Sequence, residues 1–243
     1  FNSVMKSFNN KDNFKISNKS LLQYLSLSYL LFDNTYVDNI KQLLPGSFLI
    51  YDISGIKIEF YWLLEDFINL PKEKYTFEEA THNLNYLIDK SVKSRLLSDV
   101  KVGGYFSGGV DSSLIAESLK NNLKYETKFH HLYFNEDKYS EKNYAERISK
   151  ELELKVDYFQ VPNPGKIAND FDKIVESMDY PIGDTAYISN YYLAENSSKE
   201  FKVVLSGDAG DELFGGYETY FASYLSNKLN FYFTENNRFY KFL

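Results

Sequence analysis

Residues 106–113, Phe-Ser-Gly-Gly-Val-Asp-Ser-Ser, constrain this chain more than any other stretch. They join an apolar strand pattern to an apolar-faced helix pattern through two adjacent glycines. Upstream, residues 100–106 read as a short buried strand, and downstream Leu114, Ile115, Ala116 and Leu119 form one face of a helix. Such a junction aims free backbone N–H groups and the positive helix end at whatever lies beyond the strand, which suits a polyphosphate. Gly108 and Gly109 let the main chain come close to it. Taken alone, a Gly-Gly after a strand is more often an ordinary turn. Ser112 and Ser113 are good helix caps as well as good phosphate contacts, and both readings stand.

The rest of the chain repeats the pattern. Residues 128–135, 155–161 and 201–205 read as strands. Helical spacing recurs in Tyr144, Ile148 and Leu152, in Ile167, Phe171, Ile174, Val175 and Met178, and over residues 187–197. A capping box at Thr76 and Glu79 opens a long helix with Ala80, Leu84, Leu87, Ile88 and Leu96 on one stripe. This alternation predicts an α/β fold, an open, doubly wound, mostly parallel sheet with helices on both faces. The region before it differs. Residues 1–20 are polar without period and read as loop or poorly ordered chain, residues 19–31 as a short helix, and residues 47–52 and 56–62 as strands joined by Ile53-Ser54-Gly55. Residues 63–74, with Pro71 and several charges, read as a linker.

Composition narrows the function. The chain has 243 residues, a net charge of −7 and no basic stripe, which argues against a general nucleic-acid binder. It has no cysteine, so disulfides, thiolate zinc sites and cysteine nucleophiles are excluded within these residues, and a reducing compartment is compatible. No apolar run approaches the ~20 residues of a membrane-spanning helix, and no signal peptide is evident. The sequence opens at Phe1, which implies that the natural N-terminus lies upstream. His130 and His131 are neighbours on a strand and point to opposite faces, which opposes a shared metal site, and His82 has no evident partner. None of the three is assigned a catalytic role.

Parallel strands put all their carboxyl ends on one edge, so Ser107 and Ser206 are expected on the same edge. The stretch Ser206-Gly207-Asp208-Ala209-Gly210-Asp211-Glu212 then faces the first loop and brings three acids, Asp208, Asp211 and Glu212. Each acid alone reads mostly as a residue of a solvated helix N-terminus, where the dipole favours acids. A polyphosphate beside three carboxylates requires cations, because like charges in a partly buried cleft repel strongly. Asp111 and Asp211 are the candidates for holding Mg²⁺ against phosphate oxygens.

The first loop has neither G-x-x-x-x-G-K-[ST] nor G-x-G-x-x-G. Ser107-Gly108-Gly109-Val110-Asp111-Ser112-Ser113 instead resembles the pyrophosphate loop of the ATP pyrophosphatases, which cleave ATP between the α and β phosphates. Leu205-Ser206-Gly207-Asp208-Ala209-Gly210-Asp211-Glu212-Leu213-Phe214-Gly215-Gly216-Tyr217 resembles the L-S-G-[ED]-x-x-D-E-L-F-G-G-Y signature of glutamine-hydrolysing asparagine synthetases. Met178-Asp179-Tyr180-Pro181-Ile182-Gly183-Asp184-Thr185 is similar to a third segment of that family, with its D-x-P-x-x-D pattern. The resemblance covers residues 76–221 well. It covers residues 20–66 more faintly, through Leu44-Pro45-Gly46 and Tyr61-Trp62.

The resemblance implies an adenine nucleotide alpha hydrolase-like sheet at residues 76–243, forming a truncated synthetase domain. Residues 67–75 would be a linker, and residues 1–66 the α+β tail end of an Ntn-type glutaminase domain. The implied reaction adenylates the aspartate side chain with ATP, releases pyrophosphate, and forms asparagine with glutamine-derived ammonia. Ser107, Gly108, Gly109, Ser112 and Ser113 would hold the pyrophosphate, and Phe106, Leu132, Ser206 and Gly207 would contact ATP. Asp111 and Asp211 would place Mg²⁺, with Asp208, Asp211 and Glu212 as the catalytic acids. Asp208 stands where many members carry Glu. The expected setting is cytoplasmic, without nucleic acid or membrane, and a homodimer of the full-length enzyme is left open. Two departures stand out. The glutaminase nucleophile of the family is an N-terminal cysteine, absent here, and the family's synthetase domain runs past Leu243 into a part carrying a lysine and further substrate contacts. An internal fragment, inactive by itself, is therefore expected. Adenylation of another carboxylate, in a polysaccharide, β-lactam or peptide pathway, and a non-catalytic remnant remain alternative readings.

Overall fold

The computed structural model describes residues 14–123, 125–135, 140–178 and 183–235, with side chains to residue 228. Residues 1–13, most of the polar N-terminal stretch, and residues 179–182, at the heart of the D-x-P-x-x-D segment, lie outside the described residues. The chain divides into two compact units. One comprises residues 1–80 and 162–191, and the other residues 81–161 and 192–243.

In the first unit, helix α1 (Asn18–Leu27) starts at Ser17, whose hydroxyl accepts the amide of Ser20. It stops three to four residues before the predicted end because Ser28 takes a left-handed conformation at φ 65° and caps it. Strands β1 (Ser47–Asp52) and β2 (Gly55–Phe60) pair antiparallel from Ser47 with Phe60 to Asp52 with Gly55. The turn is thus two residues, Ile53-Ser54, and Asp52 Oδ1 accepts the Ser54 amide at 2.7 Å. At the open end Gly46, at φ 71°, accepts the amides of Tyr61 and Trp62 with one carbonyl. The segment read as a linker contains a short helix, α2 (Leu64–Ile68), whose Phe67 stacks on Trp62 at 5.4 Å. None of the helix residues is buried, and the charge and proline content of the segment conceal the helix in the sequence.

Helix α3 (Phe77–Arg95) opens on the capping box, with the Thr76 amide donating to Glu79 Oε2 at 2.8 Å and the Glu79 amide to Thr76 Oγ1 at 3.2 Å. Then follow β3 (Val102–Tyr105), α4 (Val110–Asn122), β4 (Phe129–Tyr133), α5 (Lys142–Glu151) and β5 (Val156–Gln160). Helix α6 (Pro164–Ser177), with proline in its first turn and an Asn163 cap, and helix α7 (Ala186–Ser197) lead to β6 (Val203–Leu205). Helix α8 (Gly210–Phe214) and helix α9 (Glu218–Glu235) complete the described chain.

The second unit is built on a parallel sheet of order β5-β4-β3-β6. The chain steps outward from β3 to β4 to β5, then returns to place β6 on the other side of β3. The strand order therefore reverses between β3 and β6, and in open parallel sheets the ligand crevice lies at the carboxyl ends of such a pair. Helices flank both faces. Leu119 of α4 and Ala145 of α5 join Val92, Val102, Phe106, Ala116 and Phe129 in the core on one face. On the other, Ser197 at the end of α7 bonds His130, and Phe201 lies against Gly103.

Both glycines of β3 are sites of close approach. A Cβ on Gly103 would meet the Phe201 ring at 2.6 Å, and one on Gly104 would meet the Phe129 ring at 2.6 Å and Leu119 at 3.3 Å. Each face of the strand is thus thinned to admit an aromatic ring. Gly104→Ala is expected to lose about 1–3 kcal/mol of stability from overpacking, read as a lower urea midpoint; an unchanged midpoint would show that the two side chains can yield.

His130 and His131 point to opposite faces, as strand alternation requires. His130 packs against Phe159 and Phe201, His131 against Tyr158, and the two are 2% and 4% exposed. Burial, outweighing nearby acids, holds both imidazoles below the ordinary histidine pKa near 6.5. The unfolded chain therefore takes up protons first as pH falls through 6.5, and stability falls with it until the lower folded values are reached. Urea midpoints between pH 7.5 and 5.5 are expected to show this decline, shallower in His131→Asn, which keeps a donor near the Nδ1 position; an equal slope would remove His131 from the account.

Candidate functional site

The first loop leaves β3 with Phe106 and turns at Gly108, whose φ of 87° admits few residues other than glycine. A Cβ there would also come 2.9 Å from the Ala145 main chain, so α5 backs the loop directly. Ser112 braces the turn from inside the first turn of α4. Its buried hydroxyl accepts the Ser107 amide at 3.2 Å, lies 2.9 Å from Ser107 Oγ, and donates to the Gly109 carbonyl at 3.1 Å. Ser107 Oγ in turn accepts the Gly109 amide at 3.2 Å, and Ser113 Oγ donates to the Gly108 carbonyl at 3.3 Å. The serines therefore hold the loop's shape.

They do not cap the helix. The cap residue is Gly109, with no side-chain hydrogen bond, and the Ser113 amide makes the first helical bond, to Gly109. The amides of Val110, Asp111 and Ser112 are the first-turn donors that a helix cannot satisfy internally. Helix α4 thus ends in an uncapped, positively polarised N-terminus at the reversal point of the sheet. These groups suit a phosphate oxygen.

The second loop leaves β6, which pairs with β3 through Val102 with Val203, Gly103 with Val204 and Gly104 with Leu205. Ser206 and Ser107 consequently emerge at the same edge of the sheet. Gly207 lies on the first turn of α4, since a Cβ on it would be 2.8 Å from the Ser112 nitrogen. A Cβ on Gly210 would fall 2.7 Å from Asp111 Oδ2. The two loops meet at Asp111, through two glycines that leave room for its carboxylate. Ala209 between them takes a left-handed conformation at φ 71°, an uncommon one for alanine, to begin α8.

The acids have distinct surroundings. Asp208 Oδ2 accepts the Ser206 hydroxyl at 2.8 Å, and Glu212 Oε1 accepts the Tyr217 hydroxyl at 3.0 Å. That bond, the largest cause, raises the Tyr217 pKa. Asp211 lies against Gly216, and its carbonyl accepts the Gly216 amide at 2.9 Å. Among the described residues, none donates a hydrogen bond to the carboxylates of Asp111 or Asp211. The four acids do not converge as a set of three metal-ligating atoms; the single such set among the described residues lies elsewhere, at His130, Asp157 and Glu200.

Two residues named from the sequence stand differently from the rest. Phe106 is 2% exposed, its ring packs edge-on to Phe129 in the core, and its amide and carbonyl are bonded to the His130 carbonyl and to His131 Nδ1. Leu132 is half-buried on β4, paired with Phe159 one strand away from the two loops. Tyr105 escaped the sequence reading. At the last position of β3 it is held above the usual tyrosine pKa chiefly by burial and further by the charge of Asp208, with Ser197 opposing. A tyrosine closing the strand ahead of a glycine loop was its one sequence signal.

Residues 83–241 match the family model for asparagine synthase. Over 230 residues the chain is 31% identical to a putative glutamine-hydrolysing asparagine synthetase 2 of Methanocaldococcus jannaschii, covering 91% of this chain and 42% of that protein. It is 30% identical over 211 residues to glutamine-hydrolysing asparagine synthetase 1 of Bacillus subtilis, covering 86% of this chain and 32% of that one. The chain thus spans under half the length of these curated relatives. Among solved structures, the NH3-dependent NAD synthetase of Campylobacter jejuni, in complex with nitrate, is similar at a TM-score of 0.39 and 18% identity, over 56% of this chain and 60% of that one, a likeness too slight to bear on function. On the family-model match, which takes in both loops and the sheet between them, the chain belongs to the asparagine synthase family.

Proposed function

We propose that this chain carries the ATP-cleaving centre of an asparagine-forming ligase. The aspartate side-chain carboxylate attacks the α-phosphorus of ATP, forming β-aspartyl-AMP as pyrophosphate departs. Ammonia released from glutamine then displaces AMP to give asparagine. The observation that carries this reading is the uncapped N-terminus of α4, held open by Ser107 and Ser112 beside a second loop rich in acids. Free amides there would hold the pyrophosphate as it gains charge, a role whose loss typically costs ~10²–10³ in rate per donor. The loop has no lysine of the γ-phosphate-gripping kind, which favours release of pyrophosphate over transfer of a terminal phosphoryl group.

Asp111, at the meeting of the two loops, and Asp211, against Gly216 on the second loop, are carboxylates without hydrogen bonds among the described residues and suit a Mg²⁺ ion by chemistry, and the ion would neutralise the charge developing on the leaving group. Asp208 and Glu212, held by Ser206 and Tyr217, would orient the aspartyl substrate and its amine. Ser206 and Gly207 bound the nucleotide side of the crevice, and Leu132 lines it further out. Phe106 would serve by packing beneath the loop. In this reading residues 1–66 belong to a glutaminase domain, residues 67–75 link it, and residues 76–243 belong to the synthetase domain, acting in the cytoplasm. No helix among the described residues is long and apolar enough to cross a membrane.

The test is exchange of labelled pyrophosphate into ATP by the full-length protein, which should require aspartate. Exchange supported instead by another carboxylic acid would replace the substrate, and none with any acid would refute the reaction. Asp111→Asn is expected to lower exchange at least about a hundredfold. Its stability, read from urea unfolding, should fall by no more than the ~0.3–1 kcal/mol of a first-turn acid. Exchange retained in that variant would reduce Asp111 to a structural role.

A further inference from the structure

A second cluster lies away from the two loops, on the α7 face of the sheet. His130 of β4 and Asp157 of β5 are register partners, and Glu200 follows α7. His130 Nε2 is 4.0 Å from Asp157 Oδ2 and 3.7 Å from Glu200 Oε2. The imidazole is 2% exposed, and Nε2 has no hydrogen-bond partner. Ser197 Oγ donates to the Leu193 carbonyl at 2.7 Å and lies 2.8 Å from His130 Nδ1. The tautomer protonated on Nδ1 satisfies both contacts and turns the Nε2 lone pair toward the two carboxylates.

Lys128 only partly answers this. Its ammonium stands 3.3 Å from each carboxylate and leaves Nε2 unbonded. With its side chain 43% exposed, it is free to swing into water.

We propose that His130 Nε2, Asp157 Oδ2 and Glu200 Oε2 bind a divalent cation of the zinc class, with water completing a tetrahedron. One imidazole and two carboxylates are a donor set for such a borderline ion rather than for Mg²⁺. Bonds of ~2.0–2.2 Å to a tetrahedral centre put ligand atoms about 3.3–3.6 Å apart. The spacings of 3.7 and 4.0 Å, with all three atoms within 4.8 Å, need only a small inward turn of two exposed carboxylates. With its proton on Nδ1, His130 would donate to Ser197 Oγ at 2.8 Å, a contact that fixes the ring orientation for a metal at Nε2. Lys128 competes with the ion for the same carboxylates.

Zinc titration of the tag-free full chain against a chromophoric chelator at pH 7.5 tests this. One equivalent is expected to bind, about tenfold or more weakly in Asp157→Asn and in Glu200→Gln, and several-fold more tightly in Lys128→Met. Because His130→Ala removes a buried ring, the surface variants decide the outcome. Mg²⁺ in large excess should not displace the zinc. Absence of a stoichiometric site, or an affinity that all three surface variants leave unchanged, overturns the proposal.

Discussion

The parallel pairing of β3 with β6 is the constraint on which the candidate site rests. Three register pairs align strands separated by about a hundred residues of chain, and they release two loops at one edge of the sheet. Their contact is made by glycine main chain, Gly207 on the first turn of α4 and Gly210 on the Asp111 carboxylate. A side chain at either glycine would separate the loops by the width of a methyl group. The same economy recurs one layer down, where Gly103 and Gly104 yield their faces to Phe201 and Phe129. Close approach is what the sheet needs glycine for at all four positions.

Charge is then placed on a frame that does not need it for folding. The serines of the first loop are occupied with one another and with carbonyls, which fixes the turn, while the first-turn amides of α4 and the carboxylate of Asp111 are left over. A donor array and an acid held side by side repay a ligand that is both anion and metal chelate. Rigid serine bracing keeps the amides aimed before any ligand arrives, so little reorganisation is needed when charge moves onto the leaving group.

Much of this architecture was legible in the sequence. The alternation of apolar runs located each strand of the parallel sheet, and the capping box at Thr76 located the start of α3. Strand ends were overrun by one or two residues, because apolar residues continue past the hydrogen-bonded ladder, Phe106 into the core and Val100 into an exposed position. The two loops were recognisable as a pair once parallel strands were assumed. What local pattern could not show was long-range. Gly210 lies over a carboxylate 99 positions earlier, and no spacing rule encodes that. Ser112 and Ser113 read equally as caps and as phosphate contacts, yet the path of the chain made Gly109 the cap and turned both hydroxyls back onto the loop. Phe106 shows the converse: family resemblance placed it against nucleotide, whereas burial makes its ring part of the core. Helix α9 went unread as a helix although Tyr220, Phe221, Tyr224 and Leu225 recur at three- and four-residue spacing, and these side chains are exposed in the structure.

The most direct measurement of the central claim is residue-resolved hydrogen–deuterium exchange of the full-length protein, with and without magnesium pyrophosphate. If the uncapped end of α4 is the grip, the amides of Val110, Asp111 and Ser112 gain protection together, and those of Gly207 to Gly210 follow as the second loop closes on the same ligand. Protection confined to other segments, with these amides unchanged under saturating ligand, would contradict it.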